Sequence, residues 1–128
     1  MTERVLPAPA ITPEAKAFWD GTERGEFLVK SCESCGKSHF YPRSHCPHCM
    51  SDKTTWKKVS GKGKIYSYSV MRRAPEPFAI AYVTLEEGLT VLTNLVDCDL
   101  DQIKIGQNVQ VAFAKSKDGP QVPVFKPI

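Results

Sequence analysis

The sequence predicts a mainly β protein in three parts. These are an N-terminal helical segment over residues 1–26, a metal-stapled ribbon over 27–54, and a five-stranded barrel of the OB type over 55–128. Three observations predict it. Two CxxC pairs, Cys32/Cys35 and Cys46/Cys49, stand ten residues apart. Beyond Trp56, about five β-rich segments joined mostly by short turns fill roughly 70 residues. Ahead of the cysteines, Thr12-Pro13-Glu14 opens a helix.

Composition bounds the problem. The chain has 128 residues, 41% hydrophobic and 24% charged, with a formal net charge of +3. That suits one ordinary domain or two small modules sharing a core, and it does not resemble a disordered chain. No apolar run approaches membrane-spanning length, and Met1 to Pro7 lacks the apolar stretch of a signal peptide. A soluble, cytoplasmic protein without membrane contact is the expectation.

Residues 1–11 carry Pro7 and Pro9 and read as an extended arm. Thr12 then fits an N-cap, Pro13 the first helical position and Glu14 the first turn. This helix is expected to carry Phe18 and Trp19 and to stop near Gly21. The aromatic pair needs an apolar neighbour. The protein's own core is the simpler candidate, and a docked partner is the other. Phe27-Leu28-Val29 reads as a short strand leading into the ribbon.

In a reducing compartment, paired CxxC motifs read as metal ligands before disulfides. Each pair places two sulfurs on one tight turn, and four thiolates suit tetrahedral Zn²⁺. Cys32, Cys35, Cys46 and Cys49 are therefore the predicted ligands. His39, His45 and His48 lie nearby, where one could replace a cysteine; an all-cysteine site is simpler. Such a site has no open position for water, so the metal is structural. Gly36 follows the first pair, where a left-handed residue turns amides toward sulfur. Met50 holds the equivalent position in the second, which puts that knuckle's geometry in question. Phe40-Tyr41-Pro42-Arg43 is expected to form the ribbon's hairpin and a wall of the neighbouring module. Cys98, flanked by Asp97 and Asp99, reads as a small buried hydrophobe with a raised thiol pKa.

The barrel segments follow. Gly61-Lys62-Gly63 reads as a turn and Ile65–Val70 as a strand. Phe78–Leu85 and Leu89–Val96 pair around a turn at Glu86-Glu87-Gly88, with the two acids at a solvated tip. Asp99–Ile105 offers a short helical turn. Val109–Phe113 alternates, and Val122–Phe125 follows a turn at Asp118-Gly119. Closure into a barrel removes exposed sheet edges; an open meander or sandwich is the alternative. Tyr66 and Tyr68, two apart, would share one strand face. Half-buried sheet packing explains them most simply, and a base-stacking surface is the other reading.

Between Lys53 and Pro75 stand seven Lys/Arg and no acid before Glu76. Such a field draws phosphates. Arg43, Arg72 and Arg73 are the predicted anion contacts. For catalysis there is no Ser/His/Asp order, no HExxH and no phosphate-cradling glycine loop.

The order of features resembles one family over nearly the whole chain, from about Thr12 to Phe125. It runs through Phe18-Trp19-Asp20-Gly21, Cys32-Glu33-Ser34-Cys35-Gly36, Tyr41-Pro42-Arg43 and Cys46-Pro47-His48-Cys49. It continues through Trp56 to Ser60-Gly61-Lys62-Gly63-Lys64-Ile65-Tyr66-Ser67-Tyr68-Ser69-Val70. This is similar to the zinc-ribbon plus OB-fold family of acyl-CoA-associated proteins, long catalogued as a domain of unknown function. The resemblance implies a rubredoxin-like ribbon, zinc on the four cysteines, and partnership with a thiolase-like or hydratase-like enzyme of acyl-CoA metabolism. It implies a non-catalytic subunit that binds acyl-CoA or supports its site. From their charge, and not from the resemblance, Arg43, Arg72 and Arg73 are the expected contacts to coenzyme A phosphates. A single-stranded nucleic-acid module is the alternative, since ribbons and OB barrels both serve that role. The modest net charge argues against it.

Overall fold

The structure is a computed structural model that describes residues 6–128. A 3₁₀ turn at Pro13–Ala15 leads into α1 (Lys16–Glu23). Thr12 stands at the predicted cap, but its side chain makes no capping bond; its carbonyl accepts the Ala15 N–H at 3.0 Å. The helix passes through Gly21 and ends at Gly25, whose φ of 75° suits glycine. There the Gly25 N–H donates to the Thr22 carbonyl (3.0 Å) and the Glu26 N–H to the Gly21 carbonyl (2.9 Å). These two bonds make a Schellman end. Gly21 has a packing role instead. A Cβ at that position would stand 2.8 Å from Leu28 Cδ1, so the Leu28 side chain would have to move to admit a larger residue.

The ribbon is a three-stranded sheet in the order β2-β1-β3, from β1 (Leu28–Cys32), β2 (Ser38–His39) and β3 (Thr54–Lys58). Its small size leaves it little to bury: Val29 and Cys32 face inward from β1, while β3 is exposed or half-buried throughout. Lys30 lies over the Trp56 ring, 4.5 Å from its centroid, and shields that half-buried indole.

Five further strands close into a barrel in the order β4-β5-β6-β8-β7. They are β4 (Lys62–Met71), β5 (Phe78–Leu85), β6 (Thr90–Leu95), β7 (Asn108–Lys115) and β8 (Gln121–Pro127). All neighbours are antiparallel except β6 and β8, which pair in parallel at Leu95 and Phe125. This is the Greek-key closure of an OB fold. The period-two pattern of β5 is clean: Ala79, Ala81, Val83 and Leu85 point inward and are buried. Asp99–Ile105, where a helical turn was expected, forms only turns. The Asp99 carboxylate takes the Asp101 N–H at 2.9 Å, a local bond that competes with a helix.

A bulge lies between Ile65 and Ser67 of β4. It puts Ser67 opposite the outward Tyr82 and Tyr68 opposite the buried Ala81. Facing residues share a side of the sheet, so Tyr66 and Tyr68 do not form one stacking face. Glu86 and Glu87 also differ from a freely solvated tip. Both reach Ser60, with the Ser60 N–H donating to Glu87 Oε2 at 2.8 Å, and so tie the ribbon–barrel link to the β5–β6 hairpin.

One core runs through all three parts. Phe18 is fully buried, with ring centroids 4.8 Å from Trp19, 5.4 Å from Phe40, 5.8 Å from Tyr41 and 6.1 Å from Phe27. Phe27 in turn meets Phe125 of the barrel at 6.0 Å. The Trp19 indole donates to the Tyr41 hydroxyl at 2.8 Å, which satisfies the polar tip of a buried ring. Phe18 and Trp19 are therefore packed into this chain's own core. Phe40 and Tyr41 do wall the neighbouring parts, as the sequence indicated.

Replacing Phe18 with Ala should cost about 3–5 kcal/mol in denaturant unfolding, the range for emptying a buried ring site. A loss below about 1 kcal/mol would contradict a shared core centred on it.

Candidate metal centre

The two cysteine turns are built alike. After each pair a residue takes left-handed backbone: Gly36 with φ 77° and Met50 with φ 67°. The Gly36 N–H donates to the Cys32 carbonyl (2.9 Å) and the Met50 N–H to the Cys46 carbonyl (2.8 Å). The Cys32 and Cys46 N–H groups each close their turn onto Lys37 and Ser51 carbonyls at 3.0 and 2.8 Å. The second knuckle thus keeps the geometry of the first although methionine replaces glycine. Met50 is exposed, so its side chain meets no obstacle, and the cost lies in the backbone.

These turns bring Cys32, Cys35, Cys46 and Cys49 together, with all four Sγ atoms within 4.8 Å of one another. Cys32 and Cys49 sulfurs stand 3.6 Å apart and those of Cys35 and Cys46 3.7 Å. A tetrahedron with Zn–S bonds of about 2.3 Å has edges of about 3.8 Å, so the donor set fits tetrahedral Zn²⁺. Cys32 and Cys46 are buried while Cys35 and Cys49 are exposed, which sets the centre at the ribbon's tip.

The electrostatics agree with a cation there. The Cys35 backbone N–H holds the Cys32 thiol down to about 6. Cys49 goes the other way, up to about 12: the Ser51 N–H lowers it, but burial and the neighbouring sulfurs prevail. Without a positive ion between them, four sulfurs at this spacing do not ionise together. The His48 N–H donates to Cys46 Sγ at 3.4 Å, and the His45 and His48 side chains are exposed. His39 is buried, and its Nε2 accepts the Arg43 N–H at 3.2 Å, so its proton sits on Nδ1. Burial keeps that ring's pKa below the usual histidine range.

The predicted anion contacts lie on different elements. Arg43 follows Pro42 in the ribbon loop, where Ser44 is tied to Glu14 by bonds of 3.0 and 3.1 Å. Arg72 pairs with Asp101 at 2.8 Å, and Arg73 beside it is exposed. Lys58 stands 3.7 Å from Glu26. The basic run therefore does not act as a block of free charge. Sequence reading missed a cleft of about 600 Å³ between the ribbon and the β5–β6 hairpin, with Lys37, His48 and Lys57 facing Glu87 across it. Only Lys57 lies in the basic run, and Lys37 joins it by folding. Cys98 is half-buried; burial first, then Asp97 and Asp99, raise its thiol pKa, as the sequence indicated.

Cys32→Ser should reduce bound zinc from about one ion per chain to near none. It should also lower the melting temperature by more than about 10 °C, since metal binding is folding energy for a ribbon this small. Metal analysis beside a thermal melt checks both. Met50→Gly should raise stability by roughly 1 kcal/mol at unchanged zinc content, because left-handed backbone costs a side-chain residue and not glycine.

Comparisons with known proteins follow this geometry. The family model described as the ChsH2 rubredoxin-like zinc ribbon domain matches residues 19–55, and the ChsH2 C-terminal OB-fold domain matches 56–114. A DUF35 domain-containing scaffold protein of Methanocaldococcus jannaschii is 39% identical over 120 residues, covering 83% of this chain and 84% of that one. A probable enoyl-CoA hydratase alpha subunit of Thermomonospora curvata is 32% identical; 94% of this chain spans 40% of that longer protein. Benzoylsuccinyl-CoA thiolase subunit BbsA of Thauera aromatica is 29% identical over 68 residues, half of this chain and 47% of that one. A solved structure described as Ltp2-ChsH2(DUF35) aldolase superposes with a TM-score of 0.83 at 30% identity, covering 93% of this chain and 98% of that one. With a zinc ribbon followed by an OB barrel, the chain belongs to the DUF35 family.

Proposed function

We propose that this chain is a non-catalytic accessory subunit of an acyl-CoA enzyme, of the thiolase-like or hydratase-like kind. One observation carries the reading. Ribbon and barrel together match, over most of this chain, a scaffold protein and an enoyl-CoA hydratase alpha subunit, and over half of it a benzoylsuccinyl-CoA thiolase subunit. The metal centre supports it. Cys32, Cys35, Cys46 and Cys49 would hold a structural Zn²⁺, and four thiolates fill a tetrahedral ion, leaving no position for substrate or water. When bound, the ion supplies the ribbon's rigidity and no reaction step.

Binding of acyl-CoA is part of the proposal. Arg43, Arg73 and Arg72, whose pair with Asp101 is exposed, offer positive charge for its phosphates, and Lys37 and Lys57 in the ribbon cleft offer more. No helix among the described residues is long and apolar enough to cross a membrane, and the proposed setting is the cytoplasm.

Co-purification tests the reading. A tagged chain expressed in its native host should retain a thiolase-like or hydratase-like enzyme in fixed stoichiometry. Failure to retain one, together with tight, steeply salt-dependent binding to single-stranded oligonucleotides, would overturn it for the nucleic-acid reading.

A further inference from the structure

The outer face of the first three barrel strands is free of charge from the β4 bulge onward. Its rows follow from the register. Tyr82 stands between Ser67 on β4 and Leu92 on β6. Ile80 stands between Ser69 and Asn94. Thr84 faces Thr90, and the first charge, Lys64, comes at the rim beside them. The large side chains project outward: Tyr66 is 67% exposed, Leu92 55% and Tyr82 47%. In a chain that is 24% charged, a sheet face of this extent with no interior charge is unusual.

The face also has a continuation. β6 and β8 pair in register only at Leu95 and Phe125, with the Thr93 hydroxyl donating to the Pro123 carbonyl at 3.4 Å, and Pro123 has no N–H to extend the ladder. A groove of about 180 Å³ opens beside β6, with Leu92 and Asn94 on one side and Trp19 and Tyr41 on the other. Tyr41 is itself 41% exposed. Sheet face and groove thus form one band from the barrel to the helix–ribbon seam. Three strands about 20 Å long and 4.8 Å apart span roughly 300 Å² of uncharged surface before the groove is added, with Tyr66, Tyr82 and Leu92 as its exposed apolar part.

We infer that this band is the docking surface for the acyl-CoA enzyme and that an uncharged, apolar face of that enzyme covers it. The inference rests on the accessory-subunit reading and adds to it the place of contact. Charge selects the occupant. Nucleic acid needs cations over its phosphates, and this face supplies none between Lys64 at one rim and Arg72 and Arg73 past the end of β4. Exposed aromatics and Leu with charge excluded is the composition of a protein interface centre, which disfavours a partner surface carrying unpaired charge. In OB folds the same strands commonly carry the ligand.

The test uses the full chain with zinc bound and the thiolase-like or hydratase-like enzyme with which wild type co-purifies. Leu92→Glu and Ser69→Glu each place an acid in the band, with Lys115→Glu, an exposed position at the end of β7, as the control. Ser69 is exposed, so it guards against a folding defect in the Leu92 variant. Zinc content and melting temperature should match wild type in all three. Both band variants should bind the enzyme at least about 30-fold more weakly, the effect of a hot-spot loss, while Lys115→Glu binds normally. If both bind as wild type does, the band is not the docking surface and the accessory role stands. If wild type binds no such enzyme, the accessory reading itself falls and the inference with it. Loss of self-association in sedimentation, or of oligonucleotide binding, with enzyme binding intact would assign the band to another occupant and overturn the proposal.

Discussion

Phe18 is the residue on which the arrangement of this chain depends. Its ring is enclosed by Trp19 from the helix, Phe27 and Phe40 and Tyr41 from the ribbon side, and through Phe27 by Phe125 from the barrel. Neither the helix nor the ribbon can bury enough apolar surface alone. The helix is eight residues long and β3 has no fully buried residue. Edge-to-face aromatic packing fixes orientation as well as burial, so the cluster decides how the parts sit together.

The metal centre and the aromatic cluster do different things for the ribbon. The cysteine turns hold its tip, where there is no core. The cluster holds its base to the barrel. Between them, bonds from Glu86 and Glu87 to Ser60 restrain the link. A ribbon held at both ends is a rigid extension of the barrel. That rigidity is what an accessory subunit requires, because a partner surface can then be matched without ordering a mobile module on binding.

Features set by neighbours in sequence were legible in the sequence. The cysteine spacing, the Thr12-Pro13 helix start and the alternation of β5 each depend on a few adjacent residues. The departures arise where distant residues decide. Gly21 looked like a helix stop, but its role comes from Leu28, and Gly25 supplies the stop. Tyr66 and Tyr68 kept the right spacing to share a face until a bulge shifted the register between them. Arg72 looked free because Asp101 is remote in sequence. Lys37 and Lys57 share a cleft for the same reason, and no local pattern announces it. Met50 shows the converse: the fold imposed a glycine-like conformation on a residue that does not favour it.

The central claim is that this chain serves another enzyme's chemistry and performs none alone. Acyl-CoA turnover by the purified partner enzyme, measured with and without this chain at matched concentrations, tests it directly. The account predicts no turnover by the isolated chain and a fall in the partner's kcat/KM for acyl-CoA when the chain is withheld. Turnover by the chain alone, abolished by a single polar substitution, or partner kinetics indifferent to its presence, would contradict it.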